Sequence, residues 1–584
     1  MKQAELIKKL KSVPAERTDE LIRKLTENGS EYNVFPLSAE QRRMAFLQNY
    51  TEYGRYSYIC PYEIQVDTEE KLKKAEEAMN GIIAGYVSLR TLYFSIGGRF
   101  FQTVCPAEEC MTDTSCEDLS EVYSKDPDGY AALIKERTMI PFDLEQEIPV
   151  RCFSVKKAED KYSLYVVMHH ICHDAWSIGL LMKSMQNYFN TGKVLPEAKS
   201  YIDYVKWHET GECRAMLAKQ LGFWRETLKG HENSLLGLKT KPLAADEEQM
   251  FFRSVMLDAD TDARISALLR EWNGTPFNFF LAVFFAVLTG FFGRDDINVG
   301  TVTLNRNDPR FLSTFGFFVN TIVINCQRKG DMSFREHFSF VSERSMAALN
   351  NQDISFETVV DDICTDRDKN MQPLFDVMYS FYGRNLVGGE AAKGYDFGFT
   401  NLPQGSSSQY DIFIKTEQYR ENTQIAFLFN KDKLPEEWAE RFAEEYSRVL
   451  FRIIDDPSLT LDELNDRSIA ESFREAEKSA ADSASSEAEA VTGTVRDSIN
   501  ERIVTIVEEV LDTKCSSEEE SFFQIGCNSM NSIIMLERIN SEFGIELNIS
   551  ELFRYSSVAM LAGYIRKLTK AGQDEEGGLF LGEF

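Results

Sequence analysis

Three of the six histidines fall within five residues, His169, His170 and His173, and Asp174 and Trp176 follow at once. An imidazole titrates near neutrality, which suits moving a proton off an amine or a hydroxyl. The cluster closes the run Tyr162-Ser163-Leu164-Tyr165-Val166-Val167-Met168. That run is apolar on both alternating faces and reads as a buried strand. Polar groups at the end of a buried strand are costly unless paired or put to use, which marks the cluster as a candidate active site. Two chemistries compete. His169 and His173 stand four apart, a zinc-binding spacing on a helix, but the preceding residues read as strand and His170 stands where a metalloprotease has Glu. The other chemistry is acid–base work by one imidazole. Neighbouring strand residues face opposite ways, so one of His169 and His170 faces a cavity while the other packs or hydrogen-bonds.

The elements that must position this cluster belong to a chain of 584 residues, too long for one core. Lys plus Arg number 64 against 93 Asp plus Glu, a formal charge of −29. So acidic a surface argues against nucleic acid or anionic membrane as a partner. No apolar run is long enough to span a bilayer, and the first residues lack the core of a signal peptide. The 11 cysteines are scattered. Cys105, Cys110 and Cys116 come nearest to a cluster without metal-ligand spacing, and Cys172 reads as a small buried hydrophobe. Reduced thiols, a cytoplasmic location and no bound metal are expected.

Residues 1–32 read as two short amphipathic helices around Pro14, either a lead-in packed on the next domain or a docking segment. Ser38 and Gln41 form a capping-box pattern before a helix. Pro276 to Leu288 is apolar nearly all round, a buried helix. Beyond 468 the composition turns to small and charged residues, a flexible linker over 469–494. A helical stripe follows at Ile503, Val504, Ile506, Val507, Val510 and Leu511. Residues 571–584 read as a tail.

His169-His170-x-x-x-Asp174-Ala175 resembles the His-His-x-x-x-Asp-Gly signature of nonribosomal peptide synthetase condensation domains, relatives of chloramphenicol acetyltransferase. Further stretches resemble the family in its order. They are Ser38 to Leu47, Leu89-Arg90-Thr91, Tyr201 to Trp207, Phe315 to Thr321, Asn350 to Glu357, and Arg367-Asp368 to Phe375. Gly85-Tyr86-Val87, Ser355 and Ala175 depart from its pattern. Phe522-Phe523-Gln524-Ile525-Gly526-Cys527-Asn528-Ser529-Met530 is similar to the carrier-protein motif, with Cys527 and Asn528 as departures. A phosphodiester at a helix N-terminus would meet free N–H groups there.

The resemblance implies an α/β fold of two chloramphenicol-acetyltransferase-like lobes forming a V (condensation domain 33–468, lobes about 33–205 and 206–468). A four-helix-bundle carrier would span 495–570. It implies amide formation between a carrier-bound donor thioester and an acceptor amine. His170 would be the key imidazole and His169 a support. Asp174 would hold the loop, with Arg90 as its salt-bridge partner. Ser529 would carry covalent 4′-phosphopantetheine. The implied partners are an upstream donor carrier protein, a phosphopantetheinyl transferase and a separate adenylation protein, since no adenylation unit separates the two parts. Three other readings stay open: an acyltransferase releasing the chain onto a free amine or hydroxyl, an epimerisation domain, and a degenerate domain that only recruits partners.

Overall fold

The structure is a computed structural model. It describes residues 2–576 except 14–16, 29–32, 51, 113–114, 231–249, 364–373, 384–393, 403–409, 420–421, 432, 467, 477–497, and positions 512, 515–516, 519–521, 523–534, 537, 541, 544, 546, 548–550, 553–554 and 556. Ser529, Cys527 and Asn528 therefore lie outside the described residues, as do Arg367 and Asp368, most of the expected linker and the last eight residues.

Two α/β lobes follow one another. The first holds a five-stranded sheet and a three-stranded one. Its strands are β1 (Val34–Pro36), β2 (Ile59–Val66), β3 (Thr91–Ile96), β4 (Arg99–Val104), β5 (Cys116–Asp118), β6 (Val150–Ala158) and β7 (Lys161–His169). The second lobe contributes β8 (Met250–Leu257), β9 (Asp296–Thr303), β10 (Asn320–Gln327), β11 (Val377–Tyr382), β12 (Gly398–Asn401), β13 (Ile412–Gln418) and β14 (Thr423–Asn430). The sheet orders are β1-β4-β3, β12-β2-β7-β6-β5 and β10-β9-β11-β13-β14-β8.

β7 is central in the first large sheet, antiparallel to both β2 and β6. All its residues after Lys161 are buried, as its two-faced apolar pattern requires. The helices Glu69–Gly85 and Ala175–Thr191 pack with it in one core. In the second lobe the helix Pro276–Phe292 begins at a Thr275 cap with Pro at its first position, and every residue from Phe279 on is buried. It is the centre of the larger core. No single helix among the described residues is long and apolar enough to cross a membrane.

Four features differ from the sequence expectations or sharpen them. β12 comes from the second half of the chain but pairs antiparallel with β2, so it joins the sheet of the first lobe. Its short length and exposed alternate positions give too weak a pattern to read. The helices Lys2–Lys11 and Thr18–Asn28 bury Ile7, Ile22 and Leu25 in the first lobe, which uses up their apolar stripe. The linker does not start at 469. Residues 468–476 are helical, with Phe473 fully buried against Phe291, Phe292 and Trp438. One phenylalanine amid polar residues is enough to hold that turn on the core. The helix Val558–Glu576 runs past 571, where a tail was expected. With Ser498–Leu511 it surrounds a small separate core that includes Phe522, Met535 and Leu552.

Candidate active site at the lobe seam

β7 ends at His169, a 3₁₀ turn spans His170–Cys172, and Asp174 caps the helix Ala175–Thr191. The change from strand to turn separates the three imidazoles. His169 is buried. Its Nδ1 accepts from the Ile171 N–H at 3.1 Å, so Nε2 carries the hydrogen and donates to Gln48 Oε1, also at 3.1 Å. Burial holds it neutral, with its pKa lowered to about 3. His173 is buried too and pushed well below the usual imidazole range by desolvation. Its Nδ1 lies 3.2 Å from the His169 carbonyl and its Nε2 2.9 Å from the Tyr62 hydroxyl. The helical zinc pair His169/His173 does not form, because the backbone between them is strand end and 3₁₀ turn.

His170 is half-buried. Its N–H donates to the Tyr58 carbonyl at 2.8 Å, and Nδ1 lies 2.8 Å from the His173 carbonyl oxygen. A carbonyl only accepts, so Nδ1 carries the hydrogen and, in the neutral ring, Nε2 holds the lone pair. Phe317 meets the ring edge-on at 5.2 Å, fixing its tilt. One residue thus presents an oriented basic nitrogen while its two neighbours hold the turn.

Asp174 does not pair with Arg90. It is fully buried, and both its oxygens accept from Arg306 Nη2 at 3.1 Å. It also accepts from the Ser177 N–H at 2.8 Å and from the Phe318 N–H at 3.1 Å. Arg90 Nη1 donates instead to the Cys105 carbonyl at 2.7 Å. The Cys105 N–H returns a bond to the Arg90 carbonyl, so Arg90 ties down the strand beside it. Arg306 reaches Asp174 because Asn305 takes a left-handed φ of 48° just after β9, a conformation asparagine tolerates. Its guanidinium also serves the carbonyls of Phe311, Thr314 and Gly316 and lies over the Phe318 ring. The ion pair therefore ties the residue that ends the imidazole turn to the second half of the chain.

The helix Ala39–Tyr50 completes the seam. Ser38 and Gln41 make the expected capping box, and the Gln41 side chain also reaches the Ile171 carbonyl at 3.3 Å. Ser38 meets the Tyr201 hydroxyl at 2.9 Å, which brings in the helix Tyr201–His208. The Gly316 backbone passes so close to Tyr201 that a Cβ there would lie 2.1 Å from a ring carbon. Nearby, Glu40 is buried, its carboxylate oxygens meet no hydrogen-bond donor in good geometry among the described residues, and desolvation, offset in part by the nearby Ser38 and backbone donors, raises its pKa to about 7. Sequence reasoning missed Arg306, Gln48, Tyr62 and Glu40. No local pattern around Arg306 offered a signal for it.

The family model described as "Condensation domain" matches residues 31–472, and that described as "Phosphopantetheine attachment site" matches 501–565. Bacitracin synthase 2 of Bacillus licheniformis is 27% identical over 436 residues, covering 74% of this chain and 16% of the relative. Tyrocidine synthase 3 of Brevibacillus parabrevis is 24% identical over 439 residues, covering 74% and 6%. The chain thus spans a small part of these curated relatives. Among solved structures, the X-domain from teicoplanin biosynthesis superposes with a TM-score of 0.60 at 19% identity, covering 74% of this chain and 97% of that one. A four-domain nonribosomal peptide synthetase bound to AMP and glycine gives 0.62 at 20%, covering 82% and 36%. The first condensation domain of the calcium-dependent antibiotic synthetase, with a substrate analogue, gives 0.57 at 17%, covering 74% and 98%. These likenesses show the fold.

Proposed function

This chain belongs to the condensation-domain family and carries a phosphopantetheine attachment region behind that domain; from that premise we propose that it forms an amide bond in nonribosomal peptide assembly. The donor is an acyl or peptidyl thioester on an upstream carrier, and the acceptor is an amine held on this chain's own carrier. The observation that carries the reading is His170, whose Nδ1–H is fixed on the His173 carbonyl so that Nε2 stays a proton acceptor at the lobe seam.

The amine nitrogen bonds to the thioester carbonyl carbon, the C–S bond breaks, and the thiol leaves. His170 Nε2 takes the proton that the nitrogen sheds and can return it to the departing sulfur. A base so placed contributes about 10²–10⁴-fold. Holding the two reactants together between the lobes contributes more. His169 supports through Gln48 and the Ile171 N–H. Asp174 acts through Arg306 and the helix cap, as a positioning group.

When bound, 4′-phosphopantetheine supplies the thiol that carries the chain as a reactive thioester. Ser529 is the attachment residue by its motif. Phe522 and Met535, on either side of it in sequence, are both buried in the carrier core. The proposed partners are a phosphopantetheinyl transferase, the donor carrier and a separate adenylation protein that loads Ser529, all in the cytoplasm. Intact-protein mass spectrometry of the phosphopantetheinylated chain, its arm loaded with an aminoacyl group and mixed with a charged donor carrier, tests this reading. Product retained on Ser529 supports it, and product found only in solution favours the releasing acyltransferase.

A further inference from the structure

β2 places Cys60 beside the imidazole turn. In the register of β2 and β7, Ile59 faces His169 and Cys60 faces Met168. One donor atom each from Cys60, His170 and His173 lies within 4.8 Å of the other two. A thiol and two imidazole nitrogens are a zinc donor set with one position left open.

The second contacts of both rings match those of metal-bound imidazoles. Each Nδ1 is engaged by a backbone carbonyl, of His173 for His170 and of His169 for His173, which leaves Nε2 as the ligand atom of each ring. Cys60 and His173 are buried, while His170 is only half-buried and keeps the group reachable. We propose that Cys60, His170 and His173 bind one thiophilic divalent cation, zinc first, and that its binding halts amide formation.

Zinc–sulfur and zinc–nitrogen bonds of about 2.3 and 2.0 Å put tetrahedral ligands roughly 3.3–3.5 Å apart. From separations of at most 4.8 Å, the trio closes by no more than about 1.5 Å to bind, a rotamer-scale change. The Cys60 thiol loses its proton to solvent as the sulfur–metal bond forms. The Tyr62 hydroxyl, now on His173 Nε2, gives up that contact. The ion then holds the lone pair of His170 that would otherwise accept the proton of the amine. Inhibition in this form rests on the function proposed above; binding does not.

The test uses the full chain, freed of metal with a chelator, and cobalt(II) as a spectroscopic probe. Wild type is expected to take up one equivalent with a thiolate-to-cobalt charge-transfer band. Cys60→Ser is expected to lose that band and to bind zinc at least about tenfold more weakly. Its metal-free turnover should match wild type, and Cys60→Ala serves as a second variant should serine disturb folding. Zinc should stop wild-type turnover in step with site occupancy, and a chelator should restore it. Equal spectra and equal zinc affinity in wild type and both variants would overturn the site. Turnover that persists with the site saturated would overturn the inhibition. A chain that binds cobalt through Cys60 yet makes no amide even without metal would sink the proposed function and leave the site standing.

Discussion

Removing the Asp174 carboxylate should both loosen the seam and strand a charge. Asp174→Ala deletes two bonds to Arg306 Nη2 and two to the backbone N–H groups of Ser177 and Phe318. Loss of one partner of a buried ion pair costs about 3–5 kcal/mol, and loss of an N-cap about 1 kcal/mol. These overlap, and Arg306 keeps the carbonyls of Phe311, Thr314 and Gly316, so about 3 kcal/mol is expected. Arg306→Met strands Asp174 in turn and should cost a similar amount. The double variant should cost clearly less than both together, with a coupling of at least about 1 kcal/mol in a cycle read by urea unfolding. Arg90→Ala should couple to Asp174→Ala by less than about 0.5 kcal/mol, since its guanidinium serves the Cys105 carbonyl. Strong coupling to Arg90 and none to Arg306 would refute the assignment of the seam.

Two further outcomes follow from buried side chains. Glu40 has a folded pKa of about 7, above the ordinary 4.5, so its contribution to stability is complete below pH 4.5 and is lost as pH rises through 7. Glu40→Gln removes that titration. Its stability relative to wild type should grow by about 1.4 kcal/mol per pH unit between 4.5 and 7 in thermal melts, and a constant difference would count against a buried ionising carboxyl. Phe473→Ala should cost about 3–5 kcal/mol in the same melts, whereas a neutral effect would return that residue to the linker.

Much of this architecture was legible because the relevant patterns are local. The two-faced apolar run of β7, the Ser38–Gln41 capping box and the all-apolar helix Pro276–Phe292 each follow from neighbouring residues. What was hidden depends on contacts distant in sequence. Arg306 is 132 residues from Asp174, and nothing in its own neighbourhood names that partner. β12 joins a sheet built from the other half of the chain. Phe473 lies in a segment whose composition reads as solvated, and only the pocket formed by Phe291, Phe292 and Trp438 shows why it is held. At the imidazole cluster, strand alternation separated His169 from His170, but only the 3₁₀ turn shows which nitrogen is left to act.

His170→Ala, assayed in single turnover with donor-charged carrier and amine-loaded Ser529, tests the central claim most directly. The variant should stay folded with a small drop in melting temperature, from the lost bond to the His173 carbonyl, and form amide slower by about 10²–10⁴-fold. Amide formation at the wild-type rate in a folded variant would contradict the role given to His170.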